Sequence, residues 1–289
     1  MFNTRDKMKA YDVRPIKSLG QNFLTDSDVV ENILDTAELG PEDLVIEIGP
    51  GLGIMTDAMA ERAGFVCAVE IDKHLMEPLG VIKALHSNVE IINNDILKVD
   101  IKKEIVEKYL EPLGLKRIKV VANLPYYITT PIIMSLLEME LPKLEKMVFM
   151  VQKEVGQRMT AKPGGKDYGA LSVSVKYFSE SSIAFIVPPH CFIPQPGVDS
   201  CVVKLDIRKE APFELKDRDY FFKVVKASFS QRRKMLTNSL ANASYIGVDR
   251  QKVLEALSVM GKDEKIRGET LSPEEFGQLA DLLCKKFEN

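Results

Sequence analysis

The chain has 289 residues, of which 45% are hydrophobic and 28% charged, and its formal net charge is −3. This composition is ample for a globular core, whereas no run approaches the roughly 18 to 20 consecutive apolar residues that a membrane span requires. The first residues also lack the apolar stretch of a signal peptide, so we expect a cytoplasmic protein without a membrane partner.

Apolar segments of strand length alternate with segments of helix length through the first half of the chain. Such alternation is typical of a parallel sheet with helices on both faces. Residues 54–62 can form the helix that follows the first strand. A helix ahead of that strand is predicted by the spacing of Val30, Ile33, Leu34 and Ala37. The predicted strands are residues 44–48, 65–71, 89–92, 117–122 and 147–151.

The pattern changes in residues 183–207, where four prolines separate two strand-like segments. This predicts an antiparallel hairpin that closes one edge of the sheet. The sequence "RKEAP" that follows is typical of a linker, so we place a domain boundary at about residue 209. The expected organisation is an α/β domain at residues 1–209 and an all-α domain at residues 210–289.

The second domain is expected to contain one long helix whose apolar face is formed by Phe222, Val225, Phe229, Leu236 and Leu240. A basic stripe lies beside this face, and residues 1–20 are also locally basic. Both segments could contact RNA, although most charge runs are merely solvated.

The first predicted strand ends in "EIGPGLG", residues 47–53, whose glycines let the backbone turn sharply and approach a ligand at the next helix. The second strand ends at Glu70, 21 residues after Gly49, where a carboxylate can accept hydrogen bonds from ribose hydroxyls. Together these features predict a nucleoside cofactor, which could be NAD or S-adenosylmethionine.

The segments after the third and fourth strands favour the second cofactor. Asp95 could accept a hydrogen bond from an adenine amino group, although an Asp at this position is often a helix cap. In "NLPYYI", the Asn123 side-chain oxygen and the Leu124 carbonyl could accept hydrogen bonds from an exocyclic amine, while Tyr126 stacks on the base. Such acceptors favour a pyramidal, more nucleophilic nitrogen beside an aligned sulfonium methyl. The alternative for this segment is a proline turn with core tyrosines.

The ordered set of motifs resembles the KsgA family, the small-subunit ribosomal RNA adenine dimethyltransferases. The resemblance covers nearly the whole chain and implies a Rossmann-like class I methyltransferase domain, with a seven-stranded and mostly parallel sheet, followed by a small all-α domain. The matching motifs are "QNFL" at 21–24, "EIGPGLG", "VEID" at 69–72, "NNDIL" at 93–97, "NLPYYITTP" at 123–131, "FIPQPGVDS" at 192–200, "SFSQRRKML" at 228–236 and "IRGETLS" at 266–272.

The resemblance also implies an activity. Family members use S-adenosylmethionine to dimethylate N6 of two adjacent adenosines in the 3′-terminal hairpin loop of 16S rRNA, within an immature small ribosomal subunit. Residues 1–25 would contact cofactor and RNA, residues 210–289 would recognise rRNA, and a monomer is expected on so large a partner. The implied cofactor site is Asn22, Leu24, Gly49, Gly51, Glu70, Asp95 and Asn123. The implied catalytic site is Asn123, Leu124, Tyr126 and Phe192, with the last two rings enclosing the adenine.

Structural alternatives stay open at several of these positions. Gln21 and Asn22 could cap the helix that begins near Asp28. Leu24 could be a core residue, and Phe192 could pack within the hairpin.

Other residues are expected to lie outside the catalytic set. Tyr127 and Gly197 depart from the family pattern, and we expect neither to touch a proposed contact atom. Gly197 removes one possible phosphate contact and should leave catalysis undisturbed. Arg232, Arg233 and Lys234 are expected to contact phosphates or form ion pairs rather than to contact bases.

Three other interpretations share parts of this pattern. An Erm-type dimethylase would modify a single adenosine of 23S rRNA, and an NAD-dependent oxidoreductase would need an acid or base that is not evident here. A non-enzymatic assembly factor would use the same fold for binding alone. The four cysteines contain no Cys-x-x-Cys pair and the three histidines are isolated, so we predict no metal site and no disulfides.

Overall fold

The computed structural model describes residues 4–231 and 233–284. Over these ranges the chain forms two compact units, of which the first comprises residues 4–156 and 181–207 and the second comprises residues 157–180, 208–231 and 233–284. Arg232, which the sequence predicts to contact phosphate or to pair with a carboxylate, lies outside the described residues.

A mostly parallel sheet forms the centre of the first unit. Within the described residues it has seven strands in the order β4-β3-β2-β5-β6-β9-β7, and the two short strands β1 and β8 pair antiparallel beside it. Neighbours from β4 through β6 run parallel, whereas β9 is antiparallel to β6. The predicted α/β fold class is therefore confirmed. The strands are β1 Phe23–Leu24, β2 Asp43–Ile48, β3 Phe65–Glu70, β4 Val89–Asn93, β5 Arg117–Asn123, β6 Leu144–Gln152, β7 Ser179–Val187, β8 Phe192–Ile193 and β9 Ser200–Ile207.

The helices begin and end at positions that the local sequence explains. In α2 the four residues predicted to face the core are the buried ones, and the Asp26 carboxylate caps the helix by accepting from the Asp28 and Val29 amides. The cap is therefore neither Gln21 nor Asn22. The α-helices are α1 Thr4–Ala10, α2 Ser27–Ala37, α3 Ile54–Ala60, α4 Met76–Leu85, α5 Glu107–Tyr109, α6 Thr129–Glu138, α7 Lys153–Met159, α8 Ala170–Phe178, α9 Arg218–Ser228, α10 Leu236–Ala241, α11 Arg250–Val259 and α12 Pro273–Leu283.

The central strands are buried on both faces. Every residue of β2 and β3 is buried, which is why these strands are mostly apolar rather than alternating in sequence, with Asp43, Glu47 and Glu70 as buried acids among them. On one face, α2 and α3 pack into a core cluster with Val45 of β2, Val66 of β3 and Val148 of β6. This packing fixes the sheet and leaves the carboxyl ends of β2 to β5 as the place where loops meet.

The predicted hairpin is present as β7 and β9. The second arm, β9, pairs with β6 and extends the sheet, while β7 is the edge strand. Burial in β7 alternates along the strand, as expected for an edge strand with one exposed face.

The second unit is helical, but the predicted long helix over residues 222–240 is wrong. It is divided into α9, which ends at Ser228, and α10, which begins at Leu236. The Ser228 hydroxyl bonds to the Val224 carbonyl at 2.7 Å and the Ser230 hydroxyl to the Ala227 carbonyl at 2.7 Å. These side chains compete with the helical ladder at the break.

Residues 157–180 group with the second unit, although the boundary predicted at about residue 209 assigned them to the first domain. Within the second unit, the Tyr168 hydroxyl donates to the Leu271 carbonyl at 2.9 Å and the Gly164 amide donates to the Glu269 carbonyl at 2.7 Å. Helix α8 contributes Tyr177, whose ring packs against Phe221 of α9. These contacts join residues far apart in sequence, which a linker search cannot detect.

In residues 4–231 and 233–284, no helix combines the length and apolar character that crossing a bilayer demands.

Candidate active site

A cleft in the first unit opens at the carboxyl ends of β2, β3, β4 and β5, where ligands of open α/β sheets bind. It encloses about 1000 Å³, part of it open to solvent. The residues of the predicted cofactor and catalytic sites that line it are Asn22, Leu24, Gly49, Gly51, Glu70, Asp95, Asn123, Leu124 and Tyr126. The structure thus brings together every residue of the predicted sites except Phe192.

The glycine loop after β2 adopts a conformation that favours glycine. Gly49, Gly51 and Gly53 have φ angles of 67°, 59° and 73°. A Cβ atom on Gly51 would lie 3.1 Å from the Phe23 ring, so a side chain at this position would be crowded as well as strained. The loop therefore presents bare backbone to the cleft just before α3 begins.

Glu70, the last residue of β3, is a buried carboxyl with a fixed orientation. Its Oε1 accepts from the Asp72 amide at 2.8 Å and its Oε2 accepts from the Gly51 amide at 3.1 Å. Burial raises the pKa of Glu70, and these two N–H groups oppose that effect. An ionised carboxylate has about four lone-pair sites, so acceptor capacity remains for ligand hydroxyls.

Asp95 follows β4 and caps a short helical turn, which was the alternative that the sequence left open for this residue. Its Oδ1 accepts from the Leu97 amide at 3.1 Å, at the start of a 3₁₀ turn over Ile96–Lys98. The cleft wall also includes Ile71 and Ile96, which sequence reasoning did not assign. Ile71 is 48% exposed, and its place directly after the acidic residue that ends β3 is the local signal that could have identified it.

The "NLPY" turn holds its polar groups in a defined arrangement. The Asn123 Nδ2 donates to the Asn22 carbonyl at 3.1 Å, which leaves Oδ1 as the acceptor of that side chain. The Leu124 amide donates to the Met150 carbonyl at 3.1 Å, and the Pro125 carbonyl accepts from the Thr129 hydroxyl at 2.9 Å. These bonds fix the turn against β6 and α6.

The two predicted stacking residues have different positions. Tyr126 lines the cleft, its hydroxyl is 2.7 Å from the Ser200 hydroxyl, and burial raises the pKa of its phenol. Phe192 is only 1% exposed and packs in the core cluster that includes Leu24 and Val202. Since β8 pairs with β1 and places Phe192 opposite Leu24, the Phe192 ring is buried in the core of the first unit in this structure.

The N-terminal segment contributes contacts that sequence reasoning missed. The Gln21 side chain donates to the Asp72 carboxylate at 2.8 Å. The Tyr127 ring lies so close to Gly20 that a Cβ atom added to this glycine would be 3.3 Å from it. Tyr127, which was expected not to touch a proposed contact atom, lines the cleft and is 54% exposed. The motif "VEID" contained Asp72, but its partner could not be read from local spacing.

The chain is similar in sequence to known proteins. The sequence model of the family "Ribosomal RNA adenine dimethylase" matches residues 14–282. A relative from Lachnoclostridium phytofermentans, "Ribosomal RNA small subunit methyltransferase A", is 48% identical over 273 residues, which are 94% of this chain and 92% of the relative.

Two solved structures share the fold. A dimethyladenosine transferase from Plasmodium falciparum superimposes with a TM-score of 0.74 at 24% identity, covering 89% of this chain and 95% of that chain. The 23S rRNA methyltransferase ErmE superimposes with a TM-score of 0.66 at 28% identity, covering 91% of this chain and 99% of that chain.

Proposed function

Because the chain belongs to the ribosomal RNA adenine dimethylase family, we propose that it transfers methyl groups from S-adenosylmethionine to N6 of two adjacent adenosines in the 3′-terminal hairpin loop of 16S rRNA. One observation carries this proposal. The "NLPY" turn, with Asn123, Leu124 and Tyr126, lines the same cleft as Glu70 and the glycine loop, so a cofactor and a target amine can meet there.

The chemistry of the cleft fits S-adenosylmethionine. Glu70 offers a fixed carboxylate to ribose hydroxyls, and Gly49, at a φ that favours glycine, presents backbone without a side chain to the cleft. Asp95 offers an acceptor to the adenine amino group, and Ile71 and Ile96 offer apolar walls to the ring. When bound, the cofactor supplies an electrophilic methyl group on a positively charged sulfur.

The residues of the "NLPY" turn hold the target amine. The Asn123 Oδ1 and the Leu124 carbonyl accept its N–H groups, which orients the nitrogen and favours the pyramidal geometry of a nucleophile. Tyr126 stacks on the flipped base, an interaction of about 1–3 kcal/mol that offsets part of the cost of unstacking it. Catalysis in this cleft would then rest on alignment. The target nitrogen would form the new N–C bond as the methyl–sulfur bond breaks, S-adenosylhomocysteine would leave with that bond's electron pair, and the surplus amine proton would pass to water.

The immature small subunit is the proposed substrate. We further propose that the protein is a monomer and acts in the cytoplasm. What supports a small-subunit rather than a 23S target is relatedness. The relative with the small-subunit name is 48% identical, whereas the solved 23S rRNA methyltransferase is 28% identical. Phe192 is left out of the proposed stacking pair because its ring is buried.

Asn123→Ala tests the proposal. It should lower methylation of immature 30S particles by about 100-fold or more, as the loss of a group that acts at the reacting atom does, while binding to the particles changes only a few-fold. Methyl incorporation is followed with labelled S-adenosylmethionine. Asn32→Ala, on the exposed face of α2, is the matched control. Unchanged activity in Asn123→Ala would remove this residue from its role.

The competing functions give different results with the wild-type protein. An Erm-type enzyme would methylate protein-free 23S RNA and leave the 30S particle unmodified. An oxidoreductase would bind NAD rather than S-adenosylhomocysteine in calorimetry. A binding-only assembly factor would associate with the particle without methyl incorporation.

A further inference from the structure

We propose that Gln21 is a positioning residue that fastens residues 16–24, here called the strap, to the cleft wall. Both ends of its side chain are used within the protein. Nε2 donates to the Asp72 Oδ2 at 2.8 Å, and Oε1 accepts from the Ile16 amide at 2.8 Å. Gln21 therefore acts through the residues it connects, although it lines the cleft itself. Its effect on catalysis rests on the proposed function, whereas its effect on cofactor binding does not require an RNA substrate.

Asp72 is a firm anchor for this contact. It is 5% exposed, its amide donates to Glu70, and its Oδ1 accepts from both the amide and the ring Nδ1 of His74, at 3.0 and 2.9 Å. Burial raises the pKa of Asp72, but the hydrogen bonds from Gln21 and His74 outweigh it and hold the pKa below its usual value. The Gln21 amide thus bonds to an ionised carboxylate, and such bonds are stronger than those between neutral groups.

The strap connects the two halves of the cleft. On one side Gln21 reaches Asp72 and, through the Asp72 amide, the Glu70 carboxylate. On the other side the Asn22 carbonyl accepts from the Asn123 Nδ2 at 3.1 Å. If the strap moved away, the Asn123 amide would lose the partner that keeps its nitrogen turned from the cleft. An N–H donor could then face the N–H groups of the target amine, which is a repulsive arrangement.

The strap is attached to the rest of the first unit at its far end by independent contacts. The Leu24 carbonyl accepts from the Thr4 hydroxyl at 2.5 Å, and β1 pairs with β8. Loss of the Gln21 contact should therefore loosen residues 16–22 without unfolding the unit. This separation lets a variant report on positioning rather than on stability.

Gln21→Met retains the length of the side chain and removes its polar end. We expect the dissociation constant for S-adenosylhomocysteine to rise about ten-fold, the size of a lost hydrogen bond to a charged group. Amide hydrogen exchange of residues 16–22 should become faster in the cofactor-free protein, and kcat on immature 30S particles should fall together with the affinity. The midpoint of thermal unfolding should stay close to that of the wild type.

Gln251→Met is the matched control, because Gln251 also donates to a carboxylate, that of Glu255 at 3.1 Å, on an exposed helix of the second unit. It should change none of these quantities. Asp72→Asn is the second variant of a double-mutant cycle with Gln21→Met. It should weaken cofactor binding in the wild-type background and have little further effect in Gln21→Met, because the contact is already lost.

Two results would overturn the proposal: unchanged affinity and exchange in Gln21→Met, or full additivity of Gln21→Met and Asp72→Asn. Failure of the proposed function gives a different pattern. If the wild type did not methylate the particles, but Gln21→Met still weakened S-adenosylhomocysteine binding and loosened residues 16–22, the strap would stand and the substrate assignment would fall.

Discussion

Glu47 is a buried acid immediately before the residues that form the cleft. It is 0% exposed in β2, and its Oε2 accepts from the Thr56 hydroxyl at 2.6 Å. Among the described residues, its Oε1 has no hydrogen-bond partner. Burial raises the pKa of Glu47 to about 8, and the nearby Glu70 acts in the same direction. The side chain is therefore mostly protonated at neutral pH.

This burial predicts a dependence of stability on pH. The ordinary pKa of Glu is about 4.3, so the folded protein retains a proton that the unfolded chain releases above that pH. The contribution of Glu47 to stability therefore falls as pH rises from about 4 to 8 and is level above that range, with a total change of roughly 5 kcal/mol.

Glu47→Gln should remove this dependence, because an amide does not titrate. The free energy of unfolding of the variant, measured by urea denaturation and expressed relative to the wild type, should increase between about pH 5 and pH 8. Glu61→Gln, at an exposed position, is the control. A difference between Glu47→Gln and wild type that stays constant over this interval would contradict a raised pKa.

Single residues were predictable where local sequence places them at the end of a strand. Glu70 and Asn123 were identified because each ends a predicted strand, and the carboxyl ends of parallel strands meet. The contact of Gln21 with Asp72 spans 51 positions in sequence, and the burial of Phe192 depends on the pairing of β1 with β8. Both require long-range geometry that no local pattern contains.

At the scale of elements, the start of α3 depends on close packing against α4. Gly53 precedes α3 with a φ of 73°. A Cβ on this residue would lie 2.1 Å from the Ile82 Cδ1 and 3.0 Å from the Leu79 Cδ2, both on α4. A side chain here would therefore be strained in its backbone and would overlap its neighbour.

Gly53→Ala should destabilise the protein by about 2–4 kcal/mol, from backbone strain and overpacking together. Ile82→Val removes the methyl group that the new Cβ would meet and by itself should cost about 1 kcal/mol. The double variant should therefore be more stable than Gly53→Ala alone, as measured by urea denaturation. Simple addition of the two losses would show that the overlap with Ile82 is not the cause.

Helices and strands were predicted well where a single hydrophobic pattern in the local sequence determines the type and bounds of the element. The five parallel strands lie within three residues of their predicted bounds, because burial makes β2, β3 and the middle of β5 and β6 mostly apolar in sequence. The helix over residues 222–240 was wrong because the apolar spacing continues across the break near Ser228. The hydroxyl groups of Ser228 and Ser230 bond to backbone carbonyls at this break, and hydrophobic periodicity does not register such bonds.

At the scale of the whole molecule, the net charge is negative although some exposed segments are locally basic. The net charge is −3 and the sequence pI is about 5.8, values that disfavour nonspecific attraction to RNA. In the second unit, however, Arg233 and Lys234 are both exposed on the segment between α9 and α10. An RNA contact by this protein must therefore come from local groups of this kind rather than from an overall field.

Two double variants separate local from overall charge. Arg233→Gln with Lys234→Gln and Lys102→Gln with Lys103→Gln each remove two positive charges from exposed positions, the second pair lying in the first unit. If Arg233 and Lys234 contact phosphates, only the first variant should bind immature 30S particles more weakly. It should also reduce the slope of log K against log salt concentration by about 1.4 to 1.8, since each phosphate contact contributes roughly 0.7 to 0.9.

Binding is measured by sedimentation with the particles at several KCl concentrations. Equal losses in both variants would assign the effect to net charge, and an unchanged slope in the first would place the phosphate contacts elsewhere.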